Sequence, residues 1–540
     1  MNDSSLGPLA HNQDSYVGVL VAITVLVTFA ALILISQFSN LPVNMNCAMF
    51  LEGAKRWLAG EILYIDFVDT NPPMAFYIAL VPLVLSRISG ISLEPMFHLF
   101  VTALVLYSSI TIYFFSQRLY DAERRRESAI ICVGWLFFSV YVCFWGWYGE
   151  RDFLFIITFV PFLYCRMARY SGKTVPPILA IVCGLVAAPF LLQKPYFLVV
   201  PAVVELFMLW STKRARVVVS PETVCVILAG LWYGSYWFTG NQSATAYLDR
   251  WVPFLRRHFG CYGATPGELL VHSLPGFPLA ALFPQVSLVA GFVFAWMSDG
   301  ETRFEFRVLS LLVFAAFLEF FIQFKGSHYH LLPAIGCSML LWSVGVGRCA
   351  SFLPSKARNR SYASVIYVIF CGFISLGCAA GIVHRLEKKD TVDEDVRALS
   401  DVIVQESKSG ERILPLTTYF APALPALIRS DRMGATPYIP AWPILLTFCG
   451  RNQIPQSVAE SCQDEFTWEK NQILAEIAKD IKRQRPALIL LDTGNNHDWT
   501  GHRTFRLDKY LECGNWKEEF LADYKRVSMV GNFEVYRIAD

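Results

Sequence analysis

Asp66, Asp69 and Asn71 lie close together in the segment Leu63-Tyr64-Ile65-Asp66-Phe67-Val68-Asp69-Thr70-Asn71-Pro72-Pro73. Carboxylates so placed can take a proton from an attacking hydroxyl or hold a hard cation. The Pro72-Pro73 step fixes an extended backbone, so these side chains stand on a stiff stretch of chain. The segment follows the first long apolar run, which sets it at the lip of a bilayer. A plainer role is also open: both aspartates could cap the helix that the prolines start, since a helix N-terminus favours negative charge.

Four more polar clusters stand at the ends of apolar runs. They are Glu150-Arg151-Asp152 behind a Trp145–Tyr148 aromatic group, Lys194 with Tyr196, Arg256-Arg257-His258, and Lys325 with His328, Tyr329 and His330. Ionisable residues at membrane depth are functional candidates by default. Each has a structural alternative. Glu150, Arg151 and Asp152 could be an ion-paired brace, Lys194 and Lys325 could snorkel to headgroups, and the histidines could simply pack. Taken together they suggest lipid-phosphate chemistry. Lys194, Lys325, Arg151 and Arg256 or Arg257 would bind a phosphate and stabilise it as it departs. A carboxylate would deprotonate an acceptor hydroxyl for in-line attack on an anomeric carbon. The outer-loop tyrosines and tryptophans read either as sugar platforms or as an interfacial belt.

The elements that must position these groups are mostly helices in lipid. The 540-residue chain is 54% hydrophobic and only 17% charged, against roughly 25% charged in soluble domains. Apolar segments at 17–37, 96–117, 128–144, 152–168, 176–192, 196–211, 219–238, 276–297, 307–323, 329–346 and 362–383 are each near the length that crosses a bilayer. Basic residues recur in alternate loops, at Arg118–Arg126, Arg166–Lys173, Lys213–Arg216, Arg303–Arg307 and Arg348–Arg360. By the positive-inside rule these face the cytoplasm, giving about eleven spans with the C-terminal region outside. The apolar stretch Pro72–Ile88 would reverse every later loop if it crossed. It is therefore expected to be an interfacial or half-inserted helix within a large outer loop, 38–95, after a short helix Cys47–Ala59 ended by Gly60. The first run is too long for a cleavable signal core and is expected to remain as a span.

From about His384 the chain turns polar. Arg412–Leu416, Pro486–Asp492 and Phe533–Ile538 read as strands and Thr467–Arg483 as a helix. The expected fold class is thus a polytopic α-helical membrane module, residues 1–383, with an extracytoplasmic α/β domain, 384–540. None of the 14 cysteines falls in a metal-ligand spacing. Most sit in apolar runs as small hydrophobes, while Cys449, Cys462 and Cys513 could pair if their region is oxidising. The net charge of +2 gives no sign of a nucleic-acid partner.

The run Gly60-Glu61-Ile62-Leu63-Tyr64-Ile65-Asp66-Phe67-Val68-Asp69-Thr70-Asn71-Pro72-Pro73, the Gly149-Glu150-Arg151-Asp152 motif and the Lys325, Tyr329, His330, Pro333 spacing resemble the GT-C superfamily of polyprenyl-phosphate-dependent glycosyltransferases. The nearer likeness is to the bacterial protein-mannosyl and aminoarabinose transferase-like branch. The resemblance implies an inverting transfer from a polyprenyl-phosphate sugar to a glycan, lipid or protein acceptor. It places the protein in a bacterial inner membrane, with the site on the outer face. Some members use a divalent cation and others do not. Members of this family carry an aspartate early in the outer loop as proposed base, and Asn46 stands in its place here. An amide cannot take the proton, so the role passes to Asp69, then Asp66 or Glu52, with Asn46 left as a binding residue. The alternative is a degenerate relative that binds lipid-linked glycan without transferring it. A transporter reading finds no inverted repeat in its favour.

Overall fold

A computed structural model describes residues 42–120, 125–258, 263, 265–271, 278–351, 392–447, 467–494, 496–497, 504–512 and 515–539. The expected spans 17–37 and 362–383, and Cys449, Cys462 and Cys513, lie outside the described residues. In chain order the helices of the first part are α1 Met45–Leu58, α2 Met74–Ser89, α3 Leu93–Leu119, α4 Arg125–Phe144, α5 Arg151–Tyr170, α6 Pro177–Leu191, α7 Val199–Thr212 and α8 Pro221–Phe238. Next come the short α9 Gln242–Ala246, α10 Val252–His258 and α11 Pro266–Val271, then the long α12 Pro278–Met297, α13 Gly300–Gln323 and α14 Leu332–Ser351. The C-terminal part runs α15 Val392–Glu406, β1 Arg412–Leu416, α16 Ala423–Arg429, β2 Met433–Gly434, α17 Trp442–Thr447, α18 Thr467–Gln484 and β3 Leu488–Asp492. It ends with β4 Asn496–His497, β5 Thr504–Phe505, α19 Leu507–Leu511, α20 Trp516–Leu521, β6 Tyr524–Val530 and β7 Phe533–Ile538.

Every expected apolar segment within the described residues is a helix. Among the described residues four stretches are long and apolar enough to cross a bilayer: Leu93–Leu119, Arg151–Tyr170, Pro195–Thr212 and His328–Arg348. The protein is a polytopic α-helical membrane protein with a C-terminal α/β domain.

The residues fall into two compact units, which cut across a simple division at 383/384. One unit holds 98–233 and 264–386 among its residues; the other holds 41–97, 234–263 and 387–540. In the first unit the apolar windows of α5 and α14 are each 94% buried, whereas that of Pro195–Thr212 is only 22% buried. Thus α5 and α14 are interior helices and α7 turns its side chains outward. Close helix approach in lipid needs small residues. Gly134 of α4 lies so near Ser343 of α14 that a methyl group there would collide with the serine hydroxyl. The basic loop residues are braced by acids that the sequence reading passed over. Arg166 bonds Glu205 and Glu222, Arg169 bonds Glu222, and Arg348 bonds Glu127.

The second unit contains a five-stranded sheet of order β2-β1-β3-β7-β6. β1 is parallel to β2 and β3, and β7 is antiparallel to β3 and β6. β3 is Leu-Ile-Leu-Leu-Asp and buried throughout, as a central strand must be. The membrane-proximal α1 belongs to this unit for a concrete reason. Glu52, fully buried, accepts from Gly434 N at 2.7 Å. Lys55 Nζ donates to Asp431 at 2.9 Å and to the Arg432 carbonyl at 3.0 Å, and Arg56 donates to the Thr436 carbonyl at 2.6 Å. Charged side chains of α1 thereby complete the edge of the sheet. Glu52 serves as a structural acceptor for β2.

Candidate active site

The loop between α1 and α2 is built by its own polar groups. Gly60 takes a positive φ of 94° and ends the turn after α1. Tyr64 also sits at positive φ, 68°, unusual for a bulky residue, and its N–H donates to the Phe67 carbonyl at 2.6 Å. Asp66 Oδ2 accepts from Ile62 N at 2.8 Å, closing the bend from the side-chain direction. The Tyr64 hydroxyl donates to the Asn71 carbonyl at 2.6 Å, the Tyr247 hydroxyl to the Thr70 carbonyl at 2.9 Å, and Trp251 Nε1 to the Tyr64 carbonyl at 2.8 Å. Val68 N is bonded to the Pro437 carbonyl at 3.0 Å. The loop is thus held both by its own bonds and by Tyr247, Trp251 and Pro437 from outside it.

Asp69 is buried. Its Oδ1 accepts from Asn71 N at 3.0 Å, Asn71 Nδ2 at 2.8 Å and Thr70 Oγ1 at 3.3 Å. This is an Asx-type turn, in which an aspartate replaces a backbone acceptor. Neither aspartate caps α2: that helix begins after Pro73 with no side-chain cap bond. Asn46 lies in the first turn of α1, whose N-cap is Asn44, accepting from Asn46 N at 2.9 Å. Arg256 is on α10, in the same unit, and is exposed.

The first unit holds the remaining candidates and brings three of them into direct contact. Asp152 stands in the first turn of α5, where the helix dipole favours it. Its Oδ2 accepts from Lys194 Nζ at 2.7 Å, and its Oδ1 is 3.2 Å from His330 Nδ1. Lys194 Nζ also lies 3.2 Å from Gln323 Oε1 and 3.2 Å from His330 Nδ1. His330 Nδ1 can donate to Asp152 or accept from Lys194, one tautomer for each. Gln323 in turn donates to Glu319 Oε1. Asp152, Lys194, His330, Gln323 and Glu319 are all buried. The Lys194 ammonium is also 5.2 Å from the Phe197 ring and 5.6 Å from the Tyr329 ring, within cation–π range.

Of the other residues singled out, Glu150 is the N-cap residue of α5 and Arg151 its first residue, both buried. Tyr196, Lys325 and Tyr329 are half-buried in the turns before α7 and α14. Gln323 opens the polar run that ends at His330, but Glu319 went unnoticed in the sequence. Its signal was available: a carboxylate four residues before that amide, inside an otherwise apolar run, puts both on one helix face.

These geometries bear on a bound metal. Asp66 is turned back onto Ile62 and Asp69 Oδ1 onto its own loop. Among the described residues no group of three histidine, cysteine or acidic side chains could hold an ion. The two aspartates do not fit a cation site in this arrangement, since each turns a carboxylate oxygen back onto its own loop. Lys194, for its part, directs its donors at Asp152, Gln323 and His330. An arriving phosphate would compete with Asp152 for it.

No protein-family model matches the chain. No curated protein sequence matches it either. Solved structures do. The chain is similar to ArnT from Cupriavidus metallidurans bound to undecaprenyl phosphate, with TM-score 0.56 and 12% identity over 96% of this chain and 97% of that one. It is similar to the apo state of the same protein, with TM-score 0.53 and 13% identity over 95% and 97%. At these identities the likeness is one of fold, and it spans nearly the full length of both chains. The fold of this protein is that of the ArnT structures.

Proposed function

We propose that the protein is an integral membrane glycosyltransferase that moves a sugar from a polyprenyl-phosphate donor to an acceptor on the outer face of a bacterial inner membrane. The observation that carries this reading is a GT-C fold whose buried, hydrogen-bonded ionic cluster includes Asp152, Lys194 and His330. Burying such a group costs several kcal/mol unless it is paired, and ionisable residues at membrane depth are functional candidates by default.

In this reading the acceptor hydroxyl gives its proton to Asp69 while its oxygen attacks the anomeric carbon. The phosphate leaves from the opposite face, so the configuration inverts. The Asp69 carboxylate, held in its turn through Oδ1, is the group assigned to the proton. Asp66 holds Ile62 and with it the bend of the loop, which makes it a positioning residue. Arg151 and Lys325 would meet the phosphate charge, and Lys194 would join them by exchanging Asp152 for the ligand. Tyr196, Tyr329 and His330 would line the donor side, and Glu150 and Asp152 would orient the cations. Asn46 and Arg256 are assigned to substrate binding. The C-terminal α/β domain would select a glycan, lipid or protein acceptor.

A second reading rests on Asn46. If the family base is lost and Asp69 serves only its turn, the protein binds lipid-linked glycan without transferring it. Transfer from radiolabelled polyprenyl-phosphate sugars by purified wild type, Asp69→Asn and Asn46→Asp separates the two. Wild-type transfer lost in Asp69→Asn supports the first. Transfer that appears only in Asn46→Asp supports the second.

A further inference from the structure

An open cleft of about 540 Å³ lies wholly within the second unit, inside the ~300–1,000 Å³ range of small-molecule sites. Its walls include Trp57, Tyr77, Tyr236, Glu61, Asn241 and Gln242. None of the residues assigned above to base or phosphate lines it. Trp57 and Tyr77 meet edge to face, ring centroids 4.7 Å apart, and are half-buried, as is Tyr236. The arrangement is fixed. The Tyr236 hydroxyl is 2.6 Å from Ser243 Oγ, and Asn241 Oδ1 accepts from Ser243 N at 2.8 Å. The second bond ties down the Asn241 amide and keeps its Nδ2 as a donor. The floor is fixed as well, since Ile62, another wall residue, is the one whose N–H is held by Asp66.

The charge of this cleft defines its ligand. Glu61 is its one carboxylate among the lining residues, and that carboxylate is paired with both Arg56 and Arg412. What remains for a ligand is flat aromatic surface together with amide and hydroxyl groups. Aromatic rings present a weakly negative face to C–H groups, and amides offer donor and acceptor side by side. A neutral sugar ring has the matching chemistry, with C–H groups on its face and hydroxyls around its edge. An anionic headgroup would find no unpaired cation among these six residues.

We infer that this cleft is a saccharide site that takes a neutral sugar unit of the acceptor glycan. The inference rests on the proposed transfer for the word acceptor, but sugar binding at the cleft does not need transfer to occur. The test is therefore an equilibrium one. Saturation-transfer NMR on the full chain in lipid nanodiscs is recorded with neutral trisaccharides of glucose, galactose, mannose and arabinose at millimolar concentration. Wild type, Trp57→Ala and Gln242→Trp are compared. Gln242 is an exposed lining residue, so a bulkier side chain there crowds the cleft while leaving its aromatic walls in place. At least one trisaccharide is expected to bind wild type and to bind both variants about tenfold or more weakly, as loss of an aromatic anchor predicts. No binding to wild type, or unchanged binding in Gln242→Trp, overturns the inference. Signals that phosphocholine displaces and the substitutions do not affect would make these aromatics a lipid-facing belt, and would overturn it too. Binding without transfer would sink the transferase reading and leave the site standing.

Discussion

In the proposed transfer, Asp69 is the residue on which the chemistry turns. Replacing one carboxylate oxygen by an amide keeps its size and leaves an acceptor for the Asx turn. Asp69→Asn should therefore fold normally and lose about 10²- to 10⁴-fold in transfer, the usual worth of a positioned general base. The check is kcat beside an unchanged thermal midpoint. Asn46→Asp should be structurally benign, because α1 has no acidic residue in its first turn and its N-terminus favours one. Its thermal midpoint is expected to equal or exceed that of wild type. The buried pair carries a different prediction. Lys194→Met leaves Asp152 uncompensated and should destabilise the protein by about 3–5 kcal/mol. Adding Asp152→Leu should recover most of that, because the uncompensated charge goes too. Unfolding of both variants in detergent measures it; equal stability of the single and double variants would show that the pair does not hold the fold.

Elements act through their junctions. The π-turn Tyr247–Trp251 leads into α10, which meets α18 through His258 and Glu469, 2.9 Å apart, and through Arg257 and the same Glu469. Burial pushes the His258 imidazole below its ordinary range, and Glu469 pulls it part of the way back. A histidine whose folded value is lowered holds fewer protons folded than unfolded. Its contribution to stability is present above the unfolded value, about 6.5, and is lost as the pH falls below it. The thermal midpoint should therefore fall from pH 7 to pH 5, and His258→Asn should show a smaller fall. An equal fall in both would remove His258 from the account. The helices themselves were legible. Thr467–Arg483 was read from its spacing and is Thr467–Gln484 in the structure; Arg412–Leu416 and Phe533–Ile538 coincide with β1 and β7. β6 was missed because no side chain of Tyr524–Val530 is buried and its polar and apolar residues do not alternate: an edge strand lacks the pattern that marks one.

For the whole molecule, the basic loops set the expected orientation. With accessible native cysteines replaced, Arg216→Cys should resist an impermeant thiol reagent applied from outside, and Lys517→Cys should react. Arg216 is exposed in the turn after α7, and Lys517 is half-buried on α20 beside the exposed Glu518 and Glu519. Reaction at Arg216 from outside would invert the assigned topology.

Composition and hydropathy sufficed to specify a polytopic helical protein with an α/β C-terminal part, because each span must satisfy its backbone bonds within itself and so declares itself locally. The loop motif and the terminal Lys, Tyr and His motif were also readable, being short and contiguous. Only the tertiary structure decided what those residues touch. Asp152, Lys194 and the Gln323–His330 run come from three separate stretches of chain, and no local rule pairs them. Nor could the sequence tell that Glu52, Lys55 and Arg56 complete a sheet edge nearly 400 positions away. Long-range partners follow from packing, where burial leaves a charged group no water and obliges it to find a partner within the protein.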